Sequence, residues 1–169
     1  MVEYHDTEWG ELTTGDQELF ELLILEGAQA GLSWETILNK RQNYRLAFDN
    51  FDPKIVAKYD QAKIEELIKN PGSVRNKLKI NSAVKNAATF LKVQAEFGSF
   101  YNYLKTFSAE PIINSFATPA DIPASTDLSK AISDDLKKRG FNFVGPTIIY
   151  AFMQSSGMVI DHTAGCFKC

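Results

Sequence analysis

The sequence predicts an all-α fold, on three observations. Apolar residues recur at helical spacing along nearly the whole chain, capping and breaking residues punctuate these runs, and no segment sustains the two-residue alternation of a half-buried strand. No internal repeat is visible. The 169 residues suit one domain, so a single helical module over 1–169 is expected.

The elements follow in order. Asp16 reads as the N-cap of a helix whose apolar positions Leu19, Phe20, Leu23 and Ile24 lie at helical spacing and which ends near Glu26-Gly27. Gly27 and Gly31 bracket a break. Ser33 then caps a helix running to about Phe48, with Ile37, Leu38 and Tyr44 facing inward. Asp52-Pro53 reads as cap and first position of a short helix. A helix over 61–69 is stopped by Asn70-Pro71-Gly72, and a long one over 74–96 carries Leu78, Ile80, Val84, Ala87, Ala88 and Leu91. Residues 100–107 are aromatic-rich and expected to be helical, whereas 108–124 hold Pro111, Pro119 and Pro123 and read as a connecting loop. Ser125 or Thr126 caps a helix that closes at Lys137-Lys138-Arg139-Gly140, with cations in its last turn and glycine after it. Gly145-Pro146 opens the last long helix, ending near Gly157.

Composition excludes several classes. A hydrophobic content of 44%, with 12 Phe, 6 Tyr and 2 Trp, can build a core, and a charged content of 23% does not suggest disorder. No apolar run approaches the roughly 18–20 residues that span a bilayer. The first residues lack a basic segment followed by an apolar one, so the cytoplasm is the expected compartment. The net charge of −3 argues against a uniformly basic nucleic-acid binder. Distribution matters more than the sum, however: residues 73–95 contain Arg75, Lys77, Lys79, Lys85 and Lys92 and no acid. One basic face is consistent with this, and so are solvated helix surfaces.

Three constellations are candidates for chemistry. In Asn70-Pro71-Gly72-Ser73-Val74-Arg75 a glycine-containing turn precedes a helix, a geometry that brings backbone N–H groups to a phosphate; a plain structural turn is the commoner meaning. In Leu25-Glu26-Gly27-Ala28-Gln29-Ala30-Gly31-Leu32-Ser33-Trp34 a carboxylate and an aromatic plate flank a glycine-rich break, which suits a flat, nitrogen-rich ring. Residue types alone favour a core Trp34 and a solvated Glu26. The third is His162-Thr163-Ala164-Gly165-Cys166 with Cys169, and His5 at the far end of the chain. Two histidines and two cysteines make four ligands, the number zinc prefers, and a structural zinc there would tie the chain ends together. Unliganded terminal residues are the other reading. Cysteines this close in sequence do not suggest a disulfide framework.

These segments resemble the 3-methyladenine DNA glycosylase I family of the helix-hairpin-helix glycosylase superfamily. The resemblance rests on Tyr4-His5-Asp6-Thr7-Glu8-Trp9-Gly10, Leu25-Glu26-Gly27, Gln29-Ala30-Gly31-Leu32-Ser33-Trp34 and Lys40-Arg41-Gln42-Asn43-Tyr44. It continues through Leu136-Lys137-Lys138-Arg139-Gly140-Phe141-Asn142-Phe143-Val144-Gly145, Phe152-Met153-Gln154 and Asp161-His162, in order over nearly the whole chain. It implies a helix-hairpin-helix glycosylase fold and a monomeric enzyme that hydrolyses the glycosidic bond of 3-methyladenine in double-stranded DNA. It further implies that Glu26 is the catalytic and base-contacting carboxylate, that Trp34 stacks on the base and that Tyr4 lines the pocket. Gln29, Gly31 and Leu32 would enter the duplex, Leu32 as an apolar wedge, and Gly72, Ser73 and Arg75 would grip phosphate. His5, His162 and Cys166 correspond to zinc ligands.

Two departures accompany the resemblance. The family's usual start lies earlier, in a segment with another zinc-binding cysteine and another pocket tyrosine; Cys169 is the candidate replacement ligand. Many superfamily members also carry a catalytic Asp after the hairpin, yet no acid follows Gly72 before Glu96. No residue is assigned that role. An adenine alkylated at N3 carries positive charge that weakens its glycosidic bond, so neither a strong general acid nor a nucleophilic lysine is needed, and the expected enzyme is monofunctional. The competing expectation is a DNA-damage-binding homologue of impaired turnover.

Overall fold

The chain opens with a short helix, α1 (Val2–Thr7), and after a turn enters α2 (Asp16–Gln29), the central helix of the molecule. The structure is a computed structural model and describes residues 2–168; the candidate ligand Cys169 lies outside them. Helix α2 is central because it is apolar nearly all round: Leu19, Phe20, Leu22, Leu23, Ile24, Leu25 and Ala28 are all buried. Then come α3 (Trp34–Ala47), a single 3₁₀ turn (Asp49–Phe51), α4 (Pro53–Val56), α5 (Gln61–Lys69), α6 (Lys77–Phe97) and α7 (Phe100–Lys105). Strand β1 (Ile112–Ile113), α8 (Asp127–Arg139), α9 (Pro146–Ser155) and strand β2 (Val159–Ile160) complete the described chain.

Helices α3, α6, α7 and α9 pack on α2, and α8 packs on α9. One hydrophobic core results. In it Phe90 stacks on Phe100 with ring centroids 4.2 Å apart, and Phe20 meets Phe90 edge-on at 5.1 Å. Truncating a buried phenylalanine of this kind to alanine costs about 3–5 kcal/mol.

Several caps form as the sequence predicts. Ser33 Oγ accepts from Thr36 N, Asp52 caps α4 ahead of Pro53, and Thr126 forms a reciprocal capping box with Ser129. Gly140 closes α8 at φ 105°, where a side chain would be strained.

Asp16 behaves differently. The N-cap of α2 is Gly15, and Asp16 is the first helical residue. Its carboxylate is drawn instead to the turn between α6 and α7, where it accepts from Phe100 N at 2.8 Å, Tyr101 N at 3.1 Å and Gln94 Nε2 at 2.6 Å. It thus satisfies free N–H groups at the start of α7, a helix remote in sequence, alongside the local cap Ser99.

Other boundaries shift for local reasons. Helix α2 runs on through Gly27 to Gln29; Gly27 serves close packing and not a stop, since a Cβ there would lie 3.2 Å from the Phe143 Cβ. Helix α6 starts at Lys77 because Asn76, not a residue near Val74, caps it. Within it Ile80 and Ala87 are buried, Val84 and Leu91 are half-buried, and Leu78 and Ala88 are exposed. In α3 Leu38 is likewise only half-buried. The segment read as a loop contains β1, which pairs in parallel with β2 through Ile112–Val159 and Ile113–Ile160. Two-residue strands are too short for their alternation to be visible in the sequence. No helix among the described residues is long and apolar enough to cross a membrane.

Candidate active site

The end of α2, the start of α3, the N-terminal segment and α9 enclose a cavity of about 300 Å³. Tyr4, His5, Trp9, Glu26, Gln29, Trp34, Ala151 and Gln154 line it. The expected trio of Tyr4, Glu26 and Trp34 is therefore brought together. The Tyr4 and Trp34 rings meet with centroids 5.7 Å apart at 54°, forming two adjoining aromatic walls. The Tyr4 hydroxyl is buried and lacks a well-formed hydrogen bond, the Trp34 indole N–H lying toward it but too poorly placed to satisfy it. Burial, and after it the neighbouring Glu26, push its pKa upward, so it stays protonated and able to donate.

Glu26 is 4% exposed, in contrast to the solvated helix-end charge that residue type alone suggests. Burial pushes its carboxyl up to about 8, opposed only in part by the Ser155 hydroxyl. Such a carboxyl is largely neutral at pH 7 and ionises readily once a cation or N–H donors arrive beside it. A flat, positively charged heterocycle between aromatic walls would supply both.

The turn after Glu26 is shaped for projection. Ala30 leaves the helix, Gly31 adopts φ +80°, and a Cβ at Gly31 would meet nothing within 4 Å. Leu32 stands at this tip 41% exposed, directly ahead of the Ser33 cap. An open, apolar, one-residue protrusion results, with Gln29 on the cavity side of the break.

Arg41 braces the N-terminal segment. It donates to Glu8 and to Glu21, whose carboxylate also accepts from Arg45. The turn after α1 is so tied to α2 and α3, which holds Tyr4 over the cavity. Arg41 falls inside one of the matching sequence stretches, but its partners are distant in sequence and the stretch assigned it no role.

His5, His162 and Cys166 converge beside the cavity, with ligand atoms all within 4.8 Å of one another. Cys166 Sγ lies 3.6 Å from His5 Nε2 and 3.5 Å from His162 Nδ1. His5 Nδ1 bonds to Asp6 Oδ1 at 2.8 Å, which leaves the Nε2 lone pair directed at the cluster. Two imidazoles and a thiol so disposed are a donor set that fits zinc. The segment leading to His162 is fixed by Asp161, a buried carboxylate that accepts from Tyr150 Oη, Gln154 Nε2 and Asn114 Nδ2.

The 70–76 turn lies apart from the cavity. Asn70 Oδ1 accepts from Gly72 N, Tyr44 Oη accepts from Val74 N, and Lys40 Nζ donates to Pro71 O. A Cβ on Gly72 would fall 2.9 Å from Asn43 Cβ, so only glycine lets the turn lie this close to α3. Arg75 is exposed, whereas the Ser73 side chain is buried, so any contact Ser73 makes with a phosphate would come from its backbone.

Comparison with known proteins bears on this arrangement. The methyladenine glycosylase family pattern matches residues 1–169. The chain belongs to the methyladenine glycosylase family. It is 44% identical to DNA-3-methyladenine glycosylase 1 of Escherichia coli, an alignment that covers 98% of this chain and 89% of the relative. It is 45% identical to DNA-3-methyladenine glycosylase of Haemophilus influenzae, covering 98% and 90%. A crystal structure of a 3-methyladenine DNA glycosylase I superposes with a TM-score of 0.95 at 45% identity, over 98% of this chain and 92% of that one. A second, a point variant in complex with 3-methyladenine, has a TM-score of 0.95 at 33% identity, over 98% and 90%.

Within this methyladenine glycosylase, sequence reasoning overlooked Trp9, Ala151 and Gln154 as cavity residues. Trp9 lies in the quoted Tyr4 to Gly10 stretch, and its indole stacks on His5 with centroids 5.8 Å apart. An aromatic one helical turn beyond His5 was the available signal. Gln154 likewise lies in a quoted stretch, Phe152-Met153-Gln154, and it is the packing of α9 on α2 that brings it to the cavity.

Proposed function

We infer that this chain is a DNA glycosylase that releases 3-methyladenine from alkylated double-stranded DNA and leaves an abasic site. The observation that carries the reading is Glu26: a buried carboxyl of raised pKa, facing two aromatic walls and an unsatisfied tyrosine hydroxyl in a cavity with room for one purine. The relatives named for this activity, one of them solved with the free base, support the same substrate.

On this reading the damaged nucleotide is flipped out of the duplex, a movement that costs least for a damaged base. Trp34 stacks on it, Tyr4 donates to it, and Glu26 ionises against its positive charge and accepts from its N–H groups. The bond between C1′ and the base nitrogen breaks with its electron pair going to the base, which leaves neutral. Water adds to C1′ and releases its proton to solvent. No side-chain nucleophile is required, in keeping with the absence of an acidic residue between Gly72 and Glu96. Glu26 acts chiefly in base recognition.

Leu32, with Gly31 and Gln29 beside it, fills the gap left by the flipped base and so offsets part of the unstacking cost. The 70–76 turn is the hairpin of a helix-hairpin-helix element: Arg75 meets phosphate there, and Gly72 and Ser73, whose N–H groups are bonded to Asn70, shape the turn that lets the strand approach. His5, His162 and Cys166 would hold a zinc ion, whose part would be structural, joining α1 to the C-terminal segment. The working unit is a single chain, since cavity, protruding loop and hairpin all belong to one core, and it acts in the cytoplasm.

The test is release of free base from methylated duplex DNA, resolving 3-methyladenine from 7-methylguanine. Wild-type protein should release 3-methyladenine, and Glu26→Gln should lower that release about 100-fold while duplex affinity stays unchanged. Duplex binding without release by wild-type protein would instead make it a damage-binding homologue.

A further inference from the structure

The first turn of α6 is basic, with Lys77 and Lys79 and no acid, the reverse of what the helix dipole favours. Lys77 is exposed, but the half-buried Lys79 folds inward. Its Nζ donates to Ala28 O at 2.8 Å and to Ala30 O at 2.6 Å. These carbonyls belong to the C-terminal end of α2, where a cation is favourable. The Lys79 charge is thus unfavourable for its own helix and favourable for the neighbouring one.

Location gives this contact its meaning. Ala28 and Ala30 flank Gln29 immediately before the chain breaks at Gly31, and Gly31 itself has no neighbour that would meet a Cβ. The remaining hydrogen bonds of this break are local, as from Leu32 N to Gln29 O. Lys79 therefore clamps, from another helix, the last turn of α2 at Ala28 and its C-cap at Ala30, where a loop with little packing of its own departs. At its own end, Lys79 N donates to Asn76 Oδ1, the cap that ends the 70–76 turn.

We propose that Lys79 is a positioning residue that fixes the Gly31-Leu32 loop relative to the 70–76 turn, so that wedge and phosphate grip meet the duplex at a set separation. This rests on the reading of those two segments as DNA contacts. Lys79 itself touches no DNA: two of its three N–H groups are engaged with α2. Its effect is to spare the protein the ordering of the loop at the moment the base is flipped.

The experiment compares wild type with Lys79→Met, which keeps the stem and removes the ammonium, Lys79→Arg, which restores the charge, and Leu32→Ala. Excision of 3-methyladenine from duplex is followed at single turnover. Loop insertion is read from 2-aminopurine fluorescence in a duplex carrying an abasic-site analogue, and the pocket from free 3-methyladenine binding. Lys79→Met should lower the excision rate and the 2-aminopurine signal about ten-fold, with free-base affinity within about two-fold of wild type. Lys79→Arg should recover most of the loss. The salt slope of binding to undamaged duplex should be unchanged by Lys79→Met; a fall of about one would assign the ammonium to a phosphate and overturn the proposal. Equal loss of free-base binding would also overturn it, by making Lys79 merely structural. If Leu32→Ala loses the signal and Lys79→Met keeps it, the Lys79 role alone fails. If Leu32→Ala behaves as wild type, the loop is not a wedge and both readings fall.

Discussion

Tyr4 of α1 and Trp34 of α3 meet with ring centroids 5.7 Å apart at 54°, although they come from opposite sides of the central helix in sequence. Their meeting depends on α2 ending between them at a glycine break and on Arg41 holding the segment after α1 through Glu8. The aromatic walls are therefore only as fixed as the N-terminal segment, which is held by the Arg41 ion pairs, by backbone bonds from Gly10 to Gln154 and from Thr13 to Ser156, and by the Lys168–Glu11 ion pair, with the His5, His162, Cys166 cluster at its start.

The Tyr4 hydroxyl gives the first prediction. A buried hydroxyl without a well-formed hydrogen bond destabilises the folded state by about 1–3 kcal/mol relative to a satisfied one. Tyr4→Phe removes it and keeps the ring. Denaturant unfolding should show the variant more stable by about 1 kcal/mol. Binding of free 3-methyladenine should weaken about ten-fold, as for loss of one buried hydrogen bond. A variant less stable than wild type with unchanged base affinity would mean that the hydroxyl serves the fold instead.

Glu26 should leave a mark on stability as well as on activity. Its folded-state pKa is raised from 4.5 to about 8 by burial, so between those values the native state holds a proton that the unfolded state has released. Stability then falls as pH rises through that window, because the unfolded state binds fewer protons there. Glu26→Gln cannot ionise and lacks this slope. Its stability advantage over wild type should grow between pH 5 and pH 8 by about 2–4 kcal/mol, measured by denaturant unfolding at each pH. Parallel pH profiles for the two proteins would show that the carboxyl is ionised in the empty site.

What the sequence disclosed and withheld follows a physical division. Ser33, Asp52, Thr126 and Gly140 act on neighbours within four residues, so their capping roles are legible in local pattern. Asp16 has the same chemistry, but its partners Gln94, Phe100 and Tyr101 are far along the chain, and local pattern assigns it to the wrong helix. The candidate site divides likewise. Glu26 and Trp34 stand out by their glycine-rich surroundings, whereas burial of Glu26, which alters its chemistry, is a property of the packed α2. Gln154 and Lys79 face their targets only because helices cross, and no spacing rule announces that.

The metal cluster provides the last prediction. A zinc held by His5, His162 and Cys166 would bind the folded chain and not the unfolded one, and so would stabilise it by mass action. The protein should contain one zinc per chain by elemental analysis, and His162→Ala should abolish it. Removal by a chelator should lower stability by about 2 kcal/mol, which for a chain of this size lowers the melting temperature by roughly 4–8 °C. Because His5 directly follows Tyr4 and lines the cavity, the metal-free protein should also bind free 3-methyladenine more weakly. Cobalt substitution distinguishes a bound ion from a bare cluster: a thiolate-to-cobalt absorption band should appear in wild type and vanish in Cys166→Ser. If the chelated protein keeps both its melting temperature and its base affinity, the cluster contributes nothing to the site, and the Arg41 ion pairs and the backbone bonds of Gly10 and Thr13 suffice to hold Tyr4 in place.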